Sequence, residues 1–335
     1  MRAATSTSAL FIQSRQRWLM PVLLKLGSLV SMLLLTAACV TPNLQKLNTT
    51  VQVWDTAAKK IISLDELAVR ARAAELVLLG ETHDNPVHHQ IQNALLRSVS
   101  ADGKRPALVM EQFDFEQQAA IDIAMSARTS RAAALQMLEQ EMEQGWEWPQ
   151  YRALIETAKD RDFPLKAANL SRGRLQQVSR RGFAALGDGE AKRLALDVGW
   201  TAAQQAQMEQ QILDGHCGVL PAKAAMAIAN AQRARDAMMA DALLSASTGS
   251  AVAIFGREHV RRDLSVPVYL AVRAPTRKTM VIGLVDVDAG QAQSTGSDRF
   301  SAMDRRFDYW VLTPPVQRKV DPCEGLVMPS IGPTN

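Results

Sequence analysis

The chain has 335 residues, of which 47% are hydrophobic and 21% are charged, and its formal net charge at pH 7 is +4. This length suits one large domain, or a domain with a substantial insertion. The four basic residues within positions 1–38 have no acidic counterpart there, and removing that segment lowers the net charge to zero. The remaining chain therefore has no strongly basic balance, which argues against nucleic acid as a partner.

Residues 1–38 have the order of a secretory signal. Basic residues precede a short apolar run, Leu26 to Leu35, and small residues then lead to Cys39. This order resembles a bacterial lipoprotein signal, in which the cysteine carries the lipid. We therefore predict a signal peptide over 1–38, lipidation of Cys39 and a tether over 39–50. The alternative is an ordinary signal peptide with an accidental cysteine. Because Val40 is not Asp, resemblance to lipoprotein sorting signals predicts an outer-membrane anchor.

Short apolar runs alternate with helix-start patterns along the rest of the chain. Apolar runs that stop at a glycine or a polar residue are typical of buried parallel strands. Asn85-Pro86 and the capping-box spacing of Ser63 and Glu66 are typical of helix starts. The predicted strands are Val51–Trp54, Lys60–Ile62, Leu76–Leu79, Ala107–Glu111, Pro164–Asn169, Ala251–Phe255, Val266–Val272, Thr279–Val285 and Tyr309–Leu312.

Strands separated by helices predict an α/β fold with a mostly parallel sheet flanked by helices. Strand signals stop over about 171–246, which predicts a small all-helical subdomain. We place the α/β domain at 51–320 and an irregular tail at 321–335. Cys217 and Cys323 could pair in an oxidising compartment, although the sequence does not show whether their Cα atoms lie close enough.

Polar side chains follow several of the predicted parallel strands. Since the carboxyl ends of parallel strands share one edge of a sheet, these groups should converge where ligands bind in open α/β sheets. Histidine and carboxylate groups in a cleft can bind a metal or act as acid and base. Alternatively, they only satisfy backbone groups in turns. The residues concerned are Glu81, His83, Glu111, Asn169, Arg257, Glu258 and His259.

Several motifs in a fixed order resemble the ChaN-like haem-binding lipoproteins, within the superfamily of the Tiki proteases and erythromycin esterases. The resemblance covers roughly Leu76 to Leu270. It implies a parallel α/β domain with a small helical domain, haem binding, and a part in haem-iron uptake. It rests on Gly80-Glu81-Thr82-His83, Met110-Glu111, Trp148-Pro149-x-Tyr151-Arg152, His216-Cys217-Gly218-x-Leu220-Pro221, Gln232-Arg233-Ala234-Arg235-Asp236-Ala237 and Gly256-Arg257-Glu258-His259-Val260-Arg261-Arg262-Asp263.

One segment departs from that pattern, because many relatives are expected to have Gly-Asn-Gly-His where this chain has Gly256-Arg257-Glu258-His259. Arginine and glutamate are bulkier, so the pocket around His259 is expected to differ from that of the relatives.

Two function classes follow. The first is a haem-binding surface or periplasmic lipoprotein, with haem as its ligand. For this class we also expect a membrane anchor, an outer-membrane haem receptor as partner, and a homodimer. Haem needs an apolar slot, an axial ligand and cations for its propionates. The resemblance makes Tyr151 the axial candidate, with Arg152 and Arg257 as the cations; alternatively, Tyr151 only packs against Trp148.

The second class is a metal-dependent esterase or peptidase. In that case a divalent metal would be the cofactor, and Glu81, His83, Glu111 and His259 would hold it or activate water. A third option is a periplasmic adaptor with a vestigial site.

Overall fold

The computed structural model describes residues 47–142, 145–246, 249–288, 305–317 and 323. The predicted signal peptide, Cys39 and nearly all of the predicted tail lie outside these residues. The described strands are β1 (Gln52–Asp55), β2 (Lys60–Ile62), β3 (Leu76–Glu81), β4 (Ala107–Asp114), β5 (Leu165–Asn169), β6 (Ala251–Gly256), β7 (Thr279–Asp286) and β8 (Tyr309–Thr313).

These eight strands form one sheet in the order β2-β1-β8-β7-β3-β6-β4-β5. From β8 to β5 every neighbouring pair is parallel, whereas β1 is antiparallel to both β2 and β8. The predicted α/β fold with a mostly parallel sheet is therefore confirmed.

Helices cover the sheet, and none of those in the described part of the chain is long and apolar enough to cross a membrane. They are α1 (Leu64–Arg72), α2 (Pro86–Val99), α3 (Gln118–Met125), α4 (Arg131–Glu141), α5 (Trp148–Asp160), α6 (Arg172–Arg181), α7 (Asp188–Arg193), α8 (Ala202–Gly215), α9 (Ala222–Ala246) and α10 (Val266–Arg273).

The central strand β3 is buried along its whole length, which explains its unbroken apolar sequence. Gly80 is required near its end because the chain after β6 passes close above it. A Cβ built on Gly80 would lie 2.3 Å from Cγ2 of Val260 and 2.9 Å from the backbone Cα of Arg257. The close approach fixes the segment after β6 against the end of β3.

Side-chain caps start the helices where the sequence predicts them. The Asn85 carboxamide oxygen accepts a hydrogen bond of 2.9 Å from the Val87 amide, and Pro86 opens α2. The Ser63 hydroxyl accepts from the amide of Glu66 at 3.0 Å and starts α1 in the same way. The cap on α2 matters for the site because it sets the direction in which that helix leaves the end of β3.

The predicted all-helical stretch is observed as α6 to α9. Helix α9 packs against β4, β5 and β6 through Ala234, Ala237 and Met238, which are fully buried. Cys217, between α8 and α9, forms a disulfide with Cys323, and their Cα atoms are 5.9 Å apart. The pairing that the sequence left open is thus present in the structure.

Three details differ from the sequence predictions. Val266–Val272 is not a strand but most of helix α10, because Pro267 opens the helix and the buried Val266, Tyr269 and Leu270 have helical spacing. Strand β4 does not stop at Glu111 but continues to Asp114, with an irregular register after Met110.

The chain also joins the packed domain before the predicted boundary at residue 51. Leu47 is buried, and the Asn48 carboxamide donates to the Asp65 carboxylate at 2.6 Å. The last residues of the predicted tether, 47–50, are therefore attached to the domain.

Candidate functional site at the carboxyl edge of the sheet

Glu81, the last residue of β3, lies at the centre of a buried polar cluster. One carboxylate oxygen accepts from the Tyr151 hydroxyl at 2.7 Å and contacts Nδ1 of His83 at 2.9 Å. The other accepts from the Gln92 carboxamide at 2.7 Å and contacts Nδ1 of His89 at 3.2 Å. Burial raises the pKa of Glu81, but the hydrogen bonds from the two histidines outweigh it and lower that pKa to about 2. Glu81 is therefore a fixed negative charge in the folded protein.

His83 reaches from this cluster towards solvent. Its side chain is 46% exposed, whereas that of Glu81 is fully buried. Its Nε2 lies 3.5 Å from a carboxylate oxygen of Glu111, and its ring meets the edge of Trp146 at a centroid distance of 4.6 Å. Burial lowers the pKa of His83, but the hydrogen bond to Glu81 and the charges of Glu111 and Glu81 raise it by more. The pKa of His83 is therefore above its usual value.

The predicted axial candidate Tyr151 lies in the same cluster but is buried. Its ring contacts His89 edge-on at 4.7 Å and Trp146 at 5.8 Å. Burial raises the pKa of Tyr151, and the negative charge of Glu81 raises it further. In this conformation Tyr151 is a neutral hydrogen-bond donor to Glu81 that packs among aromatic rings.

Glu111 links the neighbouring strands β4 and β6. One of its oxygens accepts from the Gly256 amide at 2.8 Å, and the other faces His83. A Cβ on Gly256 would lie 3.0 Å from Cε1 and Nε2 of His83 and 3.5 Å from the Glu111 carboxylate. The absence of a side chain at Gly256 leaves room for the His83 ring.

Of the predicted cluster, the structure brings together Glu81, His83 and Glu111 but pairs His259 elsewhere. Nδ1 of His259 contacts the Asp236 carboxylate of α9 at 2.6 Å. Burial raises the pKa of Asp236, although the nearby His259 opposes that rise. Asn169 ends β5 at the same edge and is buried, and its carboxamide oxygen has no hydrogen-bond partner among the described residues.

The donor arrangement does not support the divalent-metal site that the hydrolase alternative requires. In the part of the chain that the structure describes, no group of three or more His, Cys, Asp or Glu side chains is placed to hold a metal ion. One reason is that the fourth predicted donor, His259, faces Asp236 on α9 instead of the cluster.

The two predicted propionate cations directly follow residues of the cluster in sequence. Arg152 follows Tyr151 on α5, is mostly exposed, and pairs with Glu156 at 2.9 Å. Arg257 follows β6 and contacts Glu258 at 3.2 Å. Both side chains are within reach of solvent.

Four residues of the cluster were missed by the sequence analysis. His89 and Gln92 lie three residues apart on α2, which places them on the same helix face towards Glu81. Gln112 follows Glu111 and donates weakly to Glu81 at 3.4 Å. Trp146 comes from an irregular segment before α5. The helical spacing of His89 and Gln92 after a capped helix start was the available signal; Trp146 and Gln112 had none.

A family model described as haem-binding uptake, Tiki superfamily, ChaN matches residues 67–270, a span that contains the whole cluster. The chain belongs to the ChaN haem-binding uptake family. The ChaN-like resemblance inferred from the sequence motifs is thus confirmed.

A solved ChaN structure agrees with this fold. The chain is 18% identical to ChaN of Campylobacter jejuni, whose structure is described as cofacial haem binding; the TM-score is 0.65, and the match covers 80% of this chain and 98% of that one. A Bacillus cereus protein is 10% identical, with a TM-score of 0.46 over 81% of this chain and 96% of the other. An erythromycin esterase, EreC, is 12% identical with a TM-score of 0.40, covering 79% and 83%. The likeness to the Campylobacter jejuni protein shows the fold alone, and no curated protein matches the chain.

Proposed function

We propose that this chain binds haem at the carboxyl edge of its sheet, at the cluster around His83. The observation that carries the proposal is the half-exposed imidazole of His83, whose Nδ1 is held by the buried carboxylate of Glu81 in a chain of the ChaN family. A carboxylate behind a histidine fixes its ring orientation and raises the basicity of its other nitrogen, as is usual for ligating histidines. Haem, when bound, supplies an iron that such a nitrogen can ligate.

The chemical types of the residues in and beside the cluster suit a haem group. Trp146 gives an aromatic wall beside His83. Arg152 and Arg257, which follow Tyr151 and β6 in the chain, are the cations that we assign to the propionates; their present partners are Glu156 and Glu258. The geometry favours His83 over Tyr151 as the iron ligand, because the Tyr151 hydroxyl is buried and donates to Glu81. A phenolate at Tyr151 would place a second negative charge against Glu81.

Titration of the purified chain with haemin, followed by absorption spectroscopy, tests the proposal. We expect His83→Ala to weaken haemin binding by at least about tenfold and to alter the Soret band, since an axial bond is lost. Tyr151→Phe should keep the spectrum, and Tyr309→Phe, at the opposite edge of the sheet, is the matched control. If Tyr151→Phe abolishes the spectrum and His83→Ala leaves it intact, Tyr151 is the ligand. No haemin binding by the unmodified chain at micromolar concentrations overturns the proposal.

Haemin affinity should also depend on pH. The proton on His83 competes with iron, and the pKa of His83 is raised, so affinity should fall as pH drops below that raised pKa. We expect about tenfold weaker binding for each pH unit in the acidic range, and the dependence should vanish in His83→Ala.

We infer further that the chain is a lipid-anchored outer-membrane protein with a part in haem-iron uptake. This proposal is supported by the signal-like order of residues 1–38 before Cys39 and by the name of the family, and it includes a homodimer and an outer-membrane haem receptor as partners. Cys39→Ser should release the protein from membranes. A variant that stays membrane-bound and fully processed would contradict the lipid anchor.

A further inference from the structure

A cavity of about 580 Å³ opens at the opposite, amino edge of the sheet. It lies where β7 and β8 begin and β1 ends, so the length of the parallel strands separates it from Glu81. Its side chains are of two kinds, cationic and apolar. The lining includes Arg70, Arg262, Lys278, Arg305, Met280 and Phe307.

The two carboxylates in the described lining of the cavity are paired with two of its three arginines. Asp55 contacts the Arg70 guanidinium at 2.5 Å and also accepts from the amides of Ala57 and Ala58. Asp308 accepts two hydrogen bonds from Arg262, at 2.6 and 2.5 Å. These pairs leave no unpaired acidic group among the described residues of the lining.

Lys278 and Arg305 are the surplus cations of the cavity. Both are exposed, and no carboxylate among the described residues pairs with either side chain. The described lining therefore has an excess of two positive charges. The guanidinium of Arg305 offers a planar fork of donors, and the ammonium of Lys278 offers a compact charge, which together suit the oxygens of a phosphate group.

Part of the cavity lining is apolar. Phe307 is buried and Met280 is half-buried, and the small Ala73 and Ala74 beyond the end of α1 leave the space open. A hydrated inorganic ion gains no binding energy from contact with these apolar side chains. A phosphate carried on a short apolar stem would bury that stem against them.

We propose that this amino-edge cavity binds a phosphate group on an organic stem, held by Lys278 and Arg305. The ligand class is a phosphomonoester or phosphodiester, and its source is either a free phosphorylated metabolite or a phospholipid headgroup. This site is distinct from the haem cluster and does not depend on it.

The test uses isothermal titration of the full chain with glycerol 3-phosphate and with dihexanoylphosphatidylglycerol below its micelle-forming concentration. Sodium chloride of matched ionic strength controls for general screening. The double variant Lys278→Gln/Arg305→Gln is compared with Arg172→Gln/Lys223→Gln, which removes the same charge from exposed positions in the helical stretch.

We expect saturable binding of at least one probe, about tenfold weaker for each cavity cation removed, because a hydrogen bond to a charged group contributes roughly one such step in affinity. The control double variant should bind like the unmodified chain. Tighter binding of the short-chain lipid assigns the site to a headgroup, and tighter binding of glycerol 3-phosphate assigns it to a free ligand. Absence of binding for both probes, or an equal loss in both double variants, overturns the proposal.

Discussion

Replacing Glu81 by Gln would remove the one negative charge around which the carboxyl-edge cluster is built, with almost no change of shape. In the folded protein the pKa of this carboxyl is about 2 instead of 4.5, which corresponds to about 3 kcal/mol of folded-state stability at pH values where both states are ionised. A loss of stability of similar size is expected when one member of a buried charge network is removed. We therefore expect Glu81→Gln to lower the free energy of unfolding by about 3 kcal/mol near pH 6.

The pH dependence of that loss has a definite sign. Because the folded pKa of Glu81 is depressed, its contribution is present above pH 4.5 and disappears as pH falls towards 2. The raised pKa values of His83 and His89 act in the opposite direction, since their contribution is present below about pH 6.5 and is lost as pH rises through the raised values. The difference in stability between the unmodified chain and the variant should therefore be largest between about pH 4.5 and 6.5.

Urea unfolding followed by circular dichroism across this pH range measures the difference. Glu139→Gln, which removes an exposed carboxylate from α4, is the control and should change stability by no more than about 0.5 kcal/mol. A variant as stable as the unmodified chain at pH 6, or a stability gap that does not shrink on acidification, would refute the reasoning.

Three further predictions follow from other parts of the fold. Gly80→Ala should destabilise the protein by about 2 kcal/mol or more in urea unfolding, because the new methyl group would clash with Val260 at 2.3 Å; unchanged stability would contradict the close approach. Cys217→Ser/Cys323→Ser should lower stability by up to about 4 kcal/mol, since the disulfide closes a sequence separation of 106 residues, and reduction of the unmodified chain should reproduce the loss. Burial keeps the pKa of His88 at about 4, so its ring signals in nuclear magnetic resonance should not titrate near pH 6.5.

The sheet could be predicted because its signals are local. An apolar run such as Leu76–Leu79 indicates a strand that is buried on both faces, and Asn85-Pro86 predicts the start of the helix that follows. The prediction of a strand over Val266–Val272 was wrong because β-branched residues are typical of strands. Pro267 and the spacing of the buried side chains favour a helix that packs against the sheet on one side.

The candidate site was only half predictable for a related reason. The strand-end rule places Glu81, Glu111 and His259 at one edge, but it does not say in which direction each side chain points. His259 turns towards Asp236 on α9, a partner contributed by a helix that the rule does not consider. The partners of Glu81 on α2 and the Trp146 ring come from packing between elements, which no short motif records.

The sheet order has a consequence for how the site is assembled during protein synthesis. Strand β6 lies between β3 and β4, yet the ribosome makes it only after β5 and the whole helical stretch. Until β6 has been made, β3 and β4 lack the strand that joins them, and the Gly256 amide that Glu111 requires is absent. Glu81 and Glu111 can be brought to their final separation only in a late step that depends on contacts distant in sequence, which is slow and leaves strand edges exposed. An incompletely folded chain of this protein should therefore need protection from aggregation until β6 has been inserted.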